Sequence, residues 1–299
     1  MPSCLHRRSG AKVHADFGRQ GRDEGRELVH SGELYPLPDS TMPAQQGPWP
    51  NRFVWHDLIT KDAGRAAEFY KSLLDWKINT VQMPEGPYHM IECGPGPIGG
   101  ICEQPNSPAS YWMPHLCVND VDATATLIKS LGGSIVMPPT DIPQTGRFAI
   151  VADPQGGHFS IYKGLPESPG FDPDLGIPGR ACWNELYTSD DAAALRFYSK
   201  VFGWSDEPKD LGPMGTYHVQ MLGDKQVGGL MKNPMPGAPT GWVVYFFVLD
   251  LTAATQKAKQ LGATPIMEGM PIPGIGSFSM LTDPTGAMFT LFQPMMNNC

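Results

Sequence analysis

The chain has 299 residues, 41% of them hydrophobic, a length at which one hydrophobic core usually divides into two. Its 30 acidic against 22 basic residues give a formal charge of -8, and no basic stripe follows residue 30, which argues against nucleic acid as a partner. The apolar runs are strand-length and broken by Gly, Pro or charge, well short of the roughly 20 residues needed to cross a bilayer, so a membrane partner is not expected either.

Residues 1–48 are polar and punctuated by Pro and Gly without lasting periodicity, and are expected to form a disordered extension. The early positive charge of MPSCLHRRSGAKVHADF is not followed by an apolar run, so a secretory signal is not expected. Cys4, Cys93, Cys102, Cys117, Cys182 and Cys299 form no CxxC pair, a scatter that fits buried reduced thiols and a cytoplasmic location.

From Phe53 a strand (53–59) leads into a helix whose Ala66, Phe69, Tyr70 and Leu73 fall at i, i+3, i+4 and i+7, and three short strands follow. This is one βαβββ unit. A second begins with a strand at 112–118 and a helix at 121–131 stopped by Gly132 and Gly133, and closes with strands around RFAIVAD and HFSIYKG. Leu165 to Arg180 is rich in Pro and Gly and reads as a linker.

After the linker the pattern repeats. FVWHDLITKDAGRAAEFYKSLLDWKI from Phe53 aligns without gaps on ACWNELYTSDDAAALRFYSKVFGWSD from Ala181, so that Trp55 matches Trp183 and Phe69-Tyr70 match Phe197-Tyr198. Tyr88-His89 then answers Tyr217-His218, Gly99-Gly100 answers Gly228-Gly229, Trp112 answers Trp242, and Asp153-Pro154 answers Asp283-Pro284. The expected fold is α+β: four βαβββ modules in two tandem domains, 49–164 and 181–299, joined by 165–180.

The motif TxDxxxAxxFYxxxxxW after a strand, a mid-domain helix ending in LGG or LGA, and a closing strand in the context F-x-x-x-x-DPxGxxFxxY/F together resemble the vicinal-oxygen-chelate superfamily, which includes glyoxalase I, bleomycin-resistance proteins and extradiol dioxygenases. The resemblance covers roughly 53–164 and 181–294. It implies glyoxalase-like cup domains in which two modules curl their sheet around a ligand or a metal. Family ligand positions fall on Trp55 and Trp183, with Asp57 and Glu185 two residues along the same face, on Met113 with His115 two residues along, and on Ser160 and Thr290 where a last-strand Glu would stand. The usual ligand set is therefore missing. A register slipped by one residue would instead pair His56 with His115, completed by Asp57 or Glu92, as ligands of one divalent ion (Zn, Ni, Mn or Fe); otherwise His56 packs under the helix or hydrogen-bonds a loop.

The candidate acid–base groups are Asp57, His89, His115, Glu185 and His218, since carboxylates on central strands and histidines that recur in both repeats are the simplest proton-transfer apparatus. Trp55, Trp112, Met113, Ser160, Tyr162, Trp183, Tyr245, Thr290 and Phe292 are candidates to line the cups against a flat or aromatic ligand. The Gly pairs lack the GxGxxG or GxxxxGK[ST] pattern of a phosphate loop. The expected function is a glyoxalase-like lyase or isomerase acting on a small carbonyl-bearing or aromatic substrate, with a monomer or homodimer as its state. The alternatives are a non-catalytic drug- or metabolite-binding protein and, third, an extradiol dioxygenase.

Overall fold

The computed structural model describes residues 48–295 apart from Pro84, Glu85, Pro169, Asp172, Asp174, Leu175, Met235 and Pro236, so the expected extension over 1–48 lies almost wholly outside the described residues. All four modules form. The first comprises β1 (Phe53–Thr60), α1 (Ala63–Leu74), β2 (Lys77–Met83), β3 (Gly86–Cys93) and β4 (Gly96–Glu103). The second comprises β5 (Tyr111–Cys117), α2 (Val121–Ser130), β6 (Ser134–Ile142), β7 (Gly146–Ala152) and β8 (His158–Gly164). The second domain repeats the order as β9 (Ala181–Thr188), α3 (Asp191–Phe202), β10 (Ser205–Asp210), β11 (Thr216–Leu222) and β12 (Lys225–Lys232), then β13 (Gly241–Phe247), α4 (Leu251–Gln260), β14 (Thr264–Ile272), β15 (Gly276–Thr282) and β16 (Met288–Pro294).

The helix boundaries follow from local chemistry. Asp62, Asp120, Asp190 and Asp250 each accept a hydrogen bond from the backbone N–H three residues on, which satisfies a donor that the first helical turn leaves unpaired. The Asp of the TxD motif is thus a helix cap. At the other end, Gly132 and Gly262 take positive φ angles of 89 and 99 just after α2 and α4, a backbone state that costs an L side chain but not glycine.

Each domain is one eight-stranded sheet, ordered β2-β3-β4-β1-β5-β8-β7-β6 and β10-β11-β12-β9-β13-β16-β15-β14. The first strands of the two modules run antiparallel side by side at the centre, β1 against β5 and β9 against β13. Because side chains alternate across a strand, each sheet has one face under its helices and one face turned into the cup.

The helix faces of the two domains share their cores. One buried cluster combines Leu58, Phe69 and Tyr70 of the first module with Phe246, Leu281 and Phe289 of the fourth. The other combines Leu116, Ile128 and Phe159 of the second with Phe197, Tyr198 and Trp204 of the third. Polar bonds cross at the same places. Tyr70 accepts from Trp112 Nε1 (2.9 Å) and donates to Asp283 Oδ2 (3.0 Å); Tyr198 accepts from Trp242 Nε1 (3.2 Å) and donates to Asp153 Oδ2 (2.9 Å). The Tyr of each FY motif therefore ends on the DPxG Asp of the other repeat. Trp112, expected in a cup lining, belongs to this helix-side network instead: it stands opposite Leu58 in the register of β1 and β5, one residue out of phase with the cup.

Tyr70→Phe and Tyr198→Phe are each expected to lower stability by about 1–3 kcal/mol, the cost of leaving a buried acceptor without its donor. Urea unfolding checks this through the midpoint. Unchanged midpoints would mean that the cross-domain bonds contribute nothing net.

Candidate active site

In the cup of the first domain Asp57 gathers polar partners from three strands. β1 presents Trp55 and Asp57 on one face, and the register sets Trp55 beside His115 and Asp57 beside Met113 on β5. His115 in turn pairs with Ser160 on β8. From β3, Tyr88 donates its O–H to Asp57 Oδ1 at 2.7 Å, while Trp55 Nε1 shares its hydrogen between Asp57 Oδ1 (3.0 Å) and Tyr88 Oη (2.9 Å). The second carboxylate oxygen, Oδ2, lies 3.0 Å from His115 Nε2. Burial alone would lift the Asp57 carboxyl, but the neighbouring His115 charge, whose Nε2 approaches Oδ2 without the geometry of a hydrogen bond, and the hydrogen bonds from Tyr88 and Trp55 outweigh it and hold the group below the ordinary aspartate value.

Sequence reasoning missed Tyr88 and its counterpart Tyr217. The repeated Gly pair was the available signal. A Cβ on Gly100 would stand 2.0 Å from Tyr88 Cζ, and one on Gly229 would stand 1.9 Å from Tyr217 Oη, so each second glycine is the seat of a phenol. Gly100→Ala is expected to cost about 1–3 kcal/mol by overpacking. In a Tyr88→Ala background the same change should cost almost nothing, and urea unfolding of the single and double variants separates the two cases.

The second cup uses the same positions with different groups. Glu185 Oε2 accepts from Tyr217 (3.0 Å) and Tyr245 (2.9 Å), and Trp183 Nε1 donates to Tyr217 Oη at 2.7 Å. Tyr245 pairs with Trp183 on β9 and with Thr290 on β16, the places that His115 and Ser160 hold in the first domain. Burial raises the Glu185 carboxyl, with the Tyr187, Tyr245 and Tyr217 hydroxyls partly opposing the rise. Phe292 is half-buried on the wall of this cup beside Phe278, its register partner.

The other candidates lie elsewhere. His89 follows Tyr88 and so points to the opposite face of β3, where Nδ1 meets Thr80 Oγ1 at 2.9 Å. His218 likewise turns away from Glu185, with Nδ1 2.9 Å from Asp206 Oδ2 and Nε2 3.8 Å from Asp191 Oδ2. The recurring histidines are therefore not the acid–base partners of the central carboxylates; His115 is the one that reaches such a group. Tyr162 keeps to the closing end of the first cup and donates to the Ser168 carbonyl at 2.7 Å, which ties down the linker.

His56 faces the helix side, as the unslipped register implies. Its Nε2 donates to Asn184 Oδ1 at 2.7 Å, a bond between equivalent positions of the two repeats, and its ring stacks on Phe171 with centroids 5.8 Å apart. Burial depresses the imidazole to about 4. His56 and His115 thus stand on opposite faces of neighbouring strands, and the slipped metal pair does not form. Among the described residues no group of three or more His, Cys, Asp or Glu side chains is placed to hold a metal ion. In the first cup Asp57 and His115 are the donors placed together, the nearby Cys102 thiol is pushed well above its ordinary value by burial and the Asp57 charge, Ser160 replaces the last-strand carboxylate, and the Asp57 oxygens are already engaged. This donor set does not fit a divalent ion, which takes at least three protein ligands at a catalytic centre.

The sequence model of the Glyoxalase/Bleomycin resistance protein/Dioxygenase superfamily matches residues 51–161 and 181–291. The chain belongs to this superfamily, with two tandem domains. "Putative glyoxylase CFP32" of Mycobacterium tuberculosis is 34% identical over 246 residues, covering 80% of this chain and 94% of the relative. "Anthracycline biosynthesis protein DnrV" of Streptomyces peucetius is 31% identical over 270 residues, covering 82% and 94%. Among solved structures, the 2,3-dioxygenase LapB from Pseudomonas shares the fold with a TM-score of 0.60 at 13% identity, over 83% of this chain and 94% of that one. The Mn(II)-bound glyoxalase from Novosphingobium aromaticivorans shares it with a TM-score of 0.59 at 15% identity, over 82% of each chain. At such identities the likeness concerns the fold. Cys93, Cys102, Cys117 and Cys182 are free thiols, and among the described residues no helix is long and apolar enough to cross a membrane.

Proposed function

We propose that the cup of the first domain is an acid–base site of the glyoxalase-like lyase or isomerase kind, moving a proton at a carbon next to a carbonyl of a small or aromatic compound, without a metal ion in the proton-transfer step. The observation that carries this reading is the buried Asp57–His115 contact of 3.0 Å at the focus of the cup. The names of the mycobacterial and streptomycete relatives, a glyoxylase and an anthracycline biosynthesis protein, agree with a carbonyl-bearing and a flat aromatic substrate respectively.

In this reading His115 carries the proton. Asp57 accepts from Tyr88 and Trp55 on one oxygen and faces His115 with the other, so it is a weak base and a strong orienter. Imidazole takes the proton from carbon and becomes imidazolium, Asp57 stabilises that charge, and the electron pair left on carbon moves to the carbonyl oxygen as an enolate. Where the carbon that lost its proton bears a hydroxyl, passage of the hydroxyl proton to the enolate oxygen and of the imidazolium proton to the former carbonyl carbon completes an isomerisation; where the next carbon on the other side bears a leaving group, collapse of the enolate expels that group and completes an elimination. Ser160 contributes a donor for the enolate oxygen. Its hydroxyl is buried in register with His115 and is engaged only by a 3.5 Å contact to the Ile161 carbonyl, the outer limit of a hydrogen bond.

The test is deuterium incorporation from D2O at the carbon beside the carbonyl, followed by proton NMR, with phenacyl alcohol and the glutathione hemithioacetals of methylglyoxal and phenylglyoxal as probes. Incorporation that persists after chelation and dialysis supports the reading. Incorporation that requires added metal overturns it. A second reading, non-catalytic binding of an apolar metabolite or drug, is favoured by the large apolar side chains Trp55 and Met113 that share the Asp57 face of the cup; saturable binding of the probes without incorporation would support it instead. An extradiol dioxygenase would need two His and a Glu in one cup, and Ser160 and Thr290 stand where the Glu would be. A cytoplasmic location and a small-molecule partner belong to the same proposal.

A further inference from the structure

The second cup differs from the first at one decisive position, where Tyr245 replaces His115. Asp57 therefore faces an imidazole at 3.0 Å, whereas the groups that donate to Glu185 among the described residues are phenols. Among the described residues no cationic side chain acts on it: its ionisation is governed by burial and by the hydroxyls of Tyr187, Tyr245 and Tyr217. A carboxyl only 5% exposed and without a counter-charge is costly as an anion, and a bound cation would remove that cost.

The surroundings suit an organic cation. Trp183, Tyr187, Tyr245 and Phe278 gather in one cluster on this face, with the Tyr245 and Phe278 centroids 6.1 Å apart, and Tyr217 joins through its bonds to Trp183 and Glu185. Ring faces attract ammonium groups electrostatically, most strongly where water is excluded. An independent observation points to a ligand at the same spot. Thr290 Oγ1 is fully buried with no hydrogen-bond partner, and Thr290 stands in register beside Tyr245, on the face that lines the cup. A buried hydroxyl left unpaired is uncommon in a folded protein.

We propose that the cup of the second domain binds a protonated primary or secondary amine carried on an apolar body, its N–H groups donating to Glu185 and Thr290 and its charge lying against the surrounding rings. The site is separate from the proton-transfer site of the first domain and does not depend on it. The two cups then divide the work: the first presents an acid–base pair and the second an aromatic cage with one negative charge.

Calorimetric titration of the full chain at neutral pH with benzylamine and with benzyl alcohol, its uncharged counterpart of similar shape, tests the proposal. Benzylamine is expected to bind about tenfold more tightly or better, the scale of a desolvated cation–π contact. Glu185→Gln should remove the preference, Thr290→Val should weaken amine binding without altering the fold, and Asp57→Asn should leave the preference intact. Equal affinity for the two probes, a preference that survives Glu185→Gln, a preference lost in Asp57→Asn, or no saturable binding of benzylamine at millimolar concentration would each overturn the assignment.

Discussion

His115→Ala is expected to lower the rate of proton exchange by about 10²–10⁴-fold, the usual contribution of a positioned acid–base group. Alanine removes the proposed base and leaves the Asp57 carboxylate without the imidazole that it faces. Asp57→Asn should cost about as much, although it keeps the shape of the cup. An amide has no charge to stabilise imidazolium, and it offers His115 a donor or a neutral carbonyl where the imidazole now meets a carboxylate. Glu92→Gln, on β3 and hydrogen-bonded to Asn79, should leave the rate unchanged. NMR exchange rates on the probes that the wild type turns over provide the check. A His115→Ala protein that exchanges at the wild-type rate would remove the imidazole from the reaction.

The largest pH effect on stability should come from His56. Its folded-state imidazole is depressed from 6.5 to about 4 by burial, a shift that the Asn184 hydrogen bond only partly offsets and that the His115 charge reinforces. The unfolded chain therefore takes up a proton below the ordinary histidine value while the folded chain does not. Stability from this group is fully present above that value and is lost as the pH falls towards about 4, where the loss reaches roughly 3 kcal/mol. Asp57, whose carboxyl is depressed, acts at lower pH: its contribution is lost only as the pH falls below the ordinary aspartate value. Glu185, whose carboxyl is raised, works in the opposite sense and costs stability as the pH rises above the ordinary glutamate value. The difference between wild type and His56→Gln isolates the imidazole, because glutamine can still donate to Asn184 without titrating. Urea midpoints across mildly acidic pH should fall steeply for the wild type and much less for the variant; parallel curves would contradict the assignment.

The sequence revealed the architecture because its signals were local or repeated. The Asp caps, the Gly stops, the apolar spacing of Phe69, Tyr70 and Leu73, and the gapless alignment of the two first modules each depend on a few neighbouring residues. The face of β1 was legible too, since Asp57 and Glu185 recur at the same phase. Strand phase across the sheet was not. Whether Tyr88 or His89 meets Asp57 depends on the register of β3 on β4 and of β4 on β1, with a bulge near Ile91, and no short-range pattern sets that. His89, the better proton carrier on chemical grounds, lies on the side of the strand away from Asp57. Trp112 leaves the cup for the same reason, one residue out of phase. The contacts between repeats were hidden for another reason: His56 meets Asn184, and Tyr70 meets Asp283, only when two domains pack helix face to helix face.

The exchange rate of the Asp57→Asn/His115→Ala double variant tests most directly whether Asp57 and His115 act as one unit. If Asp57 works through His115, the double variant exchanges as slowly as His115→Ala and no slower, since residues of one unit lose their effect together. Losses that multiply would mean that the two side chains act independently, and the first cup would then hold no dyad.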